Sequence, residues 1–305
     1  MKYDIIGDIH GHVEPLTQLL HKLGYELKNG YYQHPEGRKV IFVGDFIDRG
    51  PHIRETLQLV KAMTDNGAAE AIMGNHEYNA ICFHLKDKER GGHLRNHNFK
   101  NILQHEETIK QFHLHEKEWH SWIDWFIQLP LFIERENFRA VHACWDDKLI
   151  HHLRQHSKTG VLSKKFIYSA QEYGTPNYEA VERTLKGKEE KLANGITFKD
   201  KDGTIRTEAR TKWWKTGNDC TFDEYIFGDI EELNGKKIPP GTFKDNIGYP
   251  DNHSPVFFGH YWLKGEPALQ SDNVVCLDYS IAKGGKLVAY RYNGESVLKF
   301  ESLIF

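Results

Sequence analysis

Residues 3–11 read YDIIGDIHG, residues 39–50 KVIFVGDFIDRG and residues 69–78 AEAIMGNHEY. Each is a short apolar run that stops at a glycine and then delivers Asp or Asn. That is the pattern of a buried strand whose carboxyl end opens into a loop. Between these runs the period changes. Leu16, Leu19, Leu20 and Leu23 repeat at helical spacing behind Pro15 and ahead of Gly24. Ile53, Leu57, Val60 and Met63 do the same between Pro51 and Gly67, with proline near the start and glycine past the end. The alternation predicts an α/β layer whose strand carboxyl ends gather on one edge.

Working outward, Trp119, Trp122, Trp125 and Phe126 form an aromatic stripe at helical spacing and are expected in the core. Residues 128–143 read as a hairpin whose second strand, Phe138–Ala143, delivers His142. Residues 148–253 are polar and irregular, with a Lys/Glu run at Lys186–Lys191 and a turn signal at Lys199–Gly203. They are expected to form an inserted helical and loop-rich cap. From Ser254 the strand pattern resumes, and PVFFGH ends in His260. The division expected is a core of residues 1–147 and 254–305 around a 148–253 insertion.

Five strand ends thus carry Asp8 with His10, Asp45 with Asp48, Asn75 with His76, His142 and His260. A lone Asp-x-His is ordinarily a turn and a lone histidine ordinarily a satisfied core residue. Five in order, four of them with glycine before the key residue (Gly7, Gly44, Gly74, Gly259), are neither. Oxygen and imidazole donors without thiolate suit manganese, iron, zinc or similar ions. If two ions bind side by side, one carboxylate must bridge them, and Asp45 of the middle motif is the natural bridge.

GDIHG, GDFIDRG and GNHEY resemble the signature motifs of the calcineurin-like metallophosphoesterases, in the branch that includes the phosphoprotein phosphatases. Leu129-Pro130-Leu131, the VHAC of Val141–Cys144 and the FFGH of Phe257–His260 are similar to that family's later elements. The resemblance implies an α/β sandwich of two mixed sheets flanked by helices. It also implies two divalent ions, manganese foremost, with iron, zinc, cobalt and nickel as the other candidates. Asp8, His10 and Asp45 would hold the first; Asp45, Asn75, His142 and His260 the second. His76, paired with Asp48, would be the general acid, and Arg49 would hold phosphate oxygens, with Asn75 beside them. The implied reaction is hydrolysis of a phosphoester or phosphoanhydride by a metal-bound hydroxide.

Departures from the family pattern bear on substrate. His142-Ala143-Cys144 stands where protein-directed members carry His-Gly-Gly, and Trp262 replaces the second histidine of the Gly-His-x-His closure. The closing strands resemble bacterial symmetrical diadenosine tetraphosphatases and the phosphatase module of bacterial polynucleotide kinase-phosphatases. EARTKWW (Glu208–Trp214) is similar to an element of that module, which makes Arg210 a second candidate phosphate contact and Trp213 and Trp214 candidate stacking faces. A nucleotide or nucleic-acid end is therefore the favoured substrate. A serine/threonine phosphoprotein, a phosphodiester and a non-catalytic scaffold are the alternatives.

Composition narrows the rest. The chain has 305 residues, 40 Lys+Arg against 43 Asp+Glu and a formal charge of −3, which argues against a grip on nucleic acid through overall field. No apolar run is long enough to span a membrane, and the amino-terminal residues lack a signal-peptide pattern. Cys82, Cys144, Cys220 and Cys276 are far apart, so no disulfide framework is indicated and a cytoplasmic location is expected. No obligate protein partner is evident. The histidines between His84 and His120 are expected on a solvated helix surface.

Overall fold

The computed structural model describes residues 2–192, 195–199, 205–228, 230–243 and 248–305. The turn expected at Lys199–Gly203 lies, past Lys199, outside the described residues. Chain contacts divide into two units, one of residues 1–185 and 254–305 and the other of Lys186–His253.

The first unit is built on two mixed sheets. Strands β1 (Tyr3–Ile6), β2 (Lys39–Phe42) and β3 (Ala69–Ala71) run parallel, with Tyr3 beside Lys39 and Val40 beside Ala69. Helices α1 (Val13–Lys22) and α2 (Ile53–Asp65) connect them, burying the Leu16/Leu19/Leu20 and Ile53/Leu57/Val60/Met63 stripes as their spacing predicts. Next come α3 (Asn75–His84), α4 (Phe99–Phe112) and α5 (Glu116–Ile127). The second sheet holds the hairpin β4 (Phe132–Glu134) and β5 (Arg139–Val141), then β6 (Val256–Phe258) and β7 (Val274–Cys276), in the order β7-β6-β5-β4. Strand β8 (Ala289–Tyr292) joins the first sheet antiparallel to β1, and β9 (Leu303–Ile304) pairs antiparallel with β8, giving the order β9-β8-β1-β2-β3.

Alternation along the strands makes the sandwich. Tyr3, Ile5, Ile41 and Val43 of the first sheet and Phe138, Ala140, Phe257 and Val275 of the second meet in one apolar cluster. Because β1, β2 and β3 are parallel, as are β5 and β6, the carboxyl ends within each sheet share an edge. Their loops are then tied together. The Ile9 and His10 N–H groups both donate to the Asp45 carbonyl, and Gly259 N–H donates to the His142 carbonyl.

The unit boundary falls at Lys186 rather than at residue 148. Helices α6 (Asp147–His156), α7 (Lys164–Ser169) and α8 (Pro176–Lys186) open the segment expected as insertion, yet through residue 185 it is bonded into the first unit. Leu131 N–H donates to Gly160, Ala143 N–H to Thr184, and Gln171 to the Tyr78 hydroxyl. Polar composition concealed this, because the apolar residues these helices bury (Ile150, Leu153, Phe166, Ile167, Val181 and Leu185) are few among many exposed polar ones. Lys186–His253 has an apolar cluster of its own around Phe222, Tyr225, Ile226 and Phe243. Among the described residues no helix is long and apolar enough to cross a membrane.

Candidate active site

Loop geometry carries Asp8, His10, Asp45, Asp48, His142 and His260, while Asn75 and His76 open α3. Gly44 has φ +98°, and a side chain there would run into the Gly74 backbone, so glycine lets two motif loops touch. Among described residues nine non-glycines have positive φ, and His10, Asp45, Asp48, Arg49 and His260 are five of them. Such strain collects where surrounding structure over-determines a functional arrangement.

Glu77 sets the loops. Fully buried, its carboxylate accepts N–H groups from Asp45 (2.8 Å), Phe46 (2.8 Å), Ile47 (3.3 Å) and Gly74 (3.0 Å). Burial and the neighbouring Asp45 charge push its pKa up to about 7. Sequence reading passed over it, although its place directly after Asn75-His76 was the available signal.

Asp45 stands between two clusters of donor atoms. Its carboxylate, with His10 and His76, makes one set lying within 4.8 Å; with His142 and His260 it makes a second. His10 Nε2 is 3.6 Å from Oδ2 and His142 Nε2 is 3.5 Å from Oδ1. Both imidazoles have a fixed tautomer. Nδ1 of His10 donates to the Ile47 carbonyl at 2.8 Å and Nδ1 of His142 to the Val43 carbonyl at 2.7 Å. A carbonyl only accepts, so in each ring the Nε2 lone pair faces the site. Asn75 Oδ1 lies 3.0 Å from His142 Nε2 and 2.7 Å from His260 Nδ1. Asp8 belongs to neither cluster, and its Oδ2 accepts the His260 N–H at 3.0 Å.

Electrostatics follow burial. His10 is held down at about 3, first by burial and then by His76. Burial lifts Asp8 well above the usual carboxylate range, helped by Asp278 and Asp45. For Asp45 burial acts upward too, but His142, His76 and His10 together outweigh it and hold the carboxyl low. A buried set of imidazoles, an amide oxygen and crowded carboxylates fits hard-to-borderline divalent cations, with oxygen and nitrogen donors and no sulfur.

On the flank, Asp48 Oδ2 accepts a hydrogen bond from His76 Nδ1. Its Oδ1 is 2.7 Å from His105 Nδ1 and accepts the Thr108 hydroxyl at 2.6 Å. Burial alone would raise the Asp48 carboxyl; His105, then His76, reverse this and depress it strongly. His76 loses to burial but gains more from Asp45 and Asp48, so its pKa is raised. His105 corrects the expectation of a solvated histidine helix, being buried on the inner face of α4 with Thr108 and Phe112. Their i, i+3, i+7 spacing was the overlooked sign. Arg49 is exposed beside this pair.

Arg210 lies in the second unit, where its guanidinium meets Glu189 at 3.3 Å across the ribbon of Glu189–Lys191 and Glu208–Arg210. Trp213 and Trp214 are only 6% and 7% exposed, so the stacking faces expected of them are packed away.

Comparison with known proteins places the chain among relatives. The asymmetrical bis(5'-nucleosyl)-tetraphosphatase PrpE of Oceanobacillus iheyensis is 34% identical over 164 residues, 53% of this chain and 64% of that protein. Its namesake from Halalkalibacterium halodurans is 51% identical over 76 residues, 25% of this chain and 31% of that one. The chain thus spans less than two thirds of the length of these relatives. The fold is like that of a cold-active protein tyrosine phosphatase, with a TM-score of 0.51 at 16% identity over 98% of this chain and 80% of the other. The calcineurin-like phosphoesterase profile matches residues 1–270, which takes in all five strand-end motifs, and the chain belongs to that family.

Proposed function

We propose that the protein is a divalent-metal phosphohydrolase acting on nucleotide-type phosphoesters or phosphoanhydrides. The observation that carries this is Asp45 set between two donor clusters with the His76–Asp48 pair on its flank. Asp8, His10 and Asp45 would hold one ion and Asp45, Asn75, His142 and His260 the other, with manganese the ion we favour. Bound there, the pair would supply a hydroxide nucleophile at neutral pH and positive charge against the phosphoryl oxygens.

The chain's own groups supply the remainder. Arg49 presents a planar guanidinium that matches two phosphate oxygens at once. With Nδ1 of His76 tied to Asp48, the proton available to the leaving oxygen sits on Nε2. Asp45 and Asp48 favour the charged imidazole, the form that carries that proton. As phosphorus–oxygen cleavage proceeds, Nε2 gives the leaving oxygen its proton and Asp48 keeps the ring oriented. The tetraphosphatase names of the relatives support a nucleotide substrate, and a cytoplasmic location belongs to the same proposal.

Turnover of a chromogenic phosphomonoester and diester with Mn²⁺, beside a dinucleoside tetraphosphate and a phosphoserine peptide, tests the reading. Metal-dependent phosphate release with the nucleotide preferred is expected. Turnover that survives exhaustive chelation would overturn the metal reading. A clear preference for the peptide or the diester would install the protein phosphatase or the phosphodiesterase instead.

A further inference from the structure

Trp262 differs from the other tryptophans. Trp122, Trp125, Trp145, Trp213 and Trp214 are buried and Trp119 is half-buried, whereas Trp262 is 38% exposed. Its φ of +41° is one that a bulky side chain rarely adopts. The conformation is imposed by its surroundings. They can be named. Trp262 N–H donates to Oδ2 of the buried Asp278 at 2.8 Å, and Leu263 N–H donates to the Asp278 carbonyl at 2.9 Å. The other Asp278 oxygen takes the Ser280 N–H at 2.9 Å, and the Ser280 hydroxyl donates to the Leu263 carbonyl at 3.1 Å.

This bracing puts an aromatic face at the rim of the donor clusters. The Trp262 ring centre is 5.9 Å from that of His260, and the exposed Lys283 holds its ammonium 5.0 Å from the indole centre. A partly exposed ring with a cation over its face, next to residues suited to a phosphoryl group, matches a ligand that joins an aromatic base to phosphate. We propose that Trp262 and Lys283 form a nucleobase subsite. The base takes the place of the Lys283 ammonium over the indole, and Lys283 moves to a phosphate or ribose oxygen of the same nucleotide. The subsite deepens the nucleotide reading above and rests on it for the place of the phosphoryl group. Stacking tolerates any base, since each presents a π-face, so the subsite selects nucleotides as a class rather than one base.

Calorimetric titration of the metal-loaded full chain tests this. The ligands are a hydrolysis-resistant phosphonate analogue of adenosine 5′-monophosphate, the matching ribose phosphonate without base, and a phosphotyrosine peptide. Wild-type protein should bind the adenosine analogue about tenfold more tightly than the ribose analogue, a ratio typical of one stacked base. Trp262→Ala should bring that ratio close to one, and Trp262→Phe, which keeps an aromatic face, should restore most of it. Lys283→Ala should weaken both phosphonates. A base preference that persists in Trp262→Ala, or its absence in wild type, overturns the subsite, as does a Trp262 effect confined to the phosphotyrosine peptide. Nitrophenyl phosphate turnover on the same wild-type sample separates the two ideas. Turnover without base preference removes only the subsite. A Trp262-dependent base preference without turnover removes the hydrolytic reading and leaves the subsite standing.

Discussion

His105 Nδ1 lies 2.7 Å from Asp48 Oδ1, on a carboxylate whose other oxygen is bonded to His76 Nδ1. Two imidazoles from α3 and α4 therefore share one buried aspartate, and the Thr108 hydroxyl closes the same oxygen at 2.6 Å. His105 acts here through Asp48, as a positioning residue. His105→Gln should lower kcat roughly tenfold with KM little changed, the worth of about 1.4 kcal/mol from one lost hydrogen bond to a charged group. The deficit should be larger for alkyl phosphates than for nitrophenyl phosphate, because the latter's leaving group needs little protonation. Thr108→Ser should be mild and Thr108→Val more severe. Equal loss on both substrates would place His105 in stability alone.

Substituting His76 itself should show the same selectivity at larger scale. His76→Asn is expected to lower kcat by roughly 10²–10⁴, the usual worth of a positioned proton donor, while bound metal measured by elemental analysis stays nearly constant. A plot of log kcat against leaving-group pKa should steepen in the variant. If the slope stays put, the proton comes from elsewhere.

Metal content offers an independent measurement. About two equivalents of Mn²⁺ per chain are expected, and Asp45→Asn should cause the greatest loss of any single ligand change, since its carboxylate belongs to both donor clusters. Asp8→Asn should weaken binding less. Greater loss from Asp8→Asn would move the bridge away from Asp45.

Stability should depend on a different carboxylate. Asp4 is wholly buried in β1 and accepts from Arg38 at 2.9 and 3.0 Å, Arg291 at 3.0 Å and the Tyr25 hydroxyl at 3.0 Å. Arg38 is itself 5% exposed and also donates to the Tyr3 and Tyr292 carbonyls, joining β1 to β8. Arg38→Ala leaves a buried charge short of its main partner and should cost about 3–5 kcal/mol in denaturant titration. Arg38→Lys should recover only part, because an ammonium lacks the planar fork that spans these acceptors. Loss below ~1 kcal/mol would mean that Arg291 and Tyr25 suffice, in the range of an exposed pair.

What could be read from sequence here was local in origin. Strand runs ending in glycine and the leucine stripe of α1 are patterns within ten residues, and the three parallel strands of the first sheet follow them. Asp8, His10, Asp45, Asn75, His142 and His260 could be singled out because each sits at the end of such a run. Tertiary structure decided what depends on remote segments meeting. His105 is 57 residues from Asp48 in the chain, and nothing in its own helix reveals that a carboxylate waits opposite. Polar composition likewise suggested that residues 148–185 leave the core, where buried Ile150, Leu153, Phe166 and Val181 and main-chain bonds at Gly160 and Thr184 keep them. Tryptophans gave the sharpest contrast: Trp213 and Trp214, the candidate stacking faces, are buried, while Trp262, which looked like a lost histidine, is 38% exposed. Burial is a property of what packs on a side chain from elsewhere, whereas periodicity is a property of the chain itself.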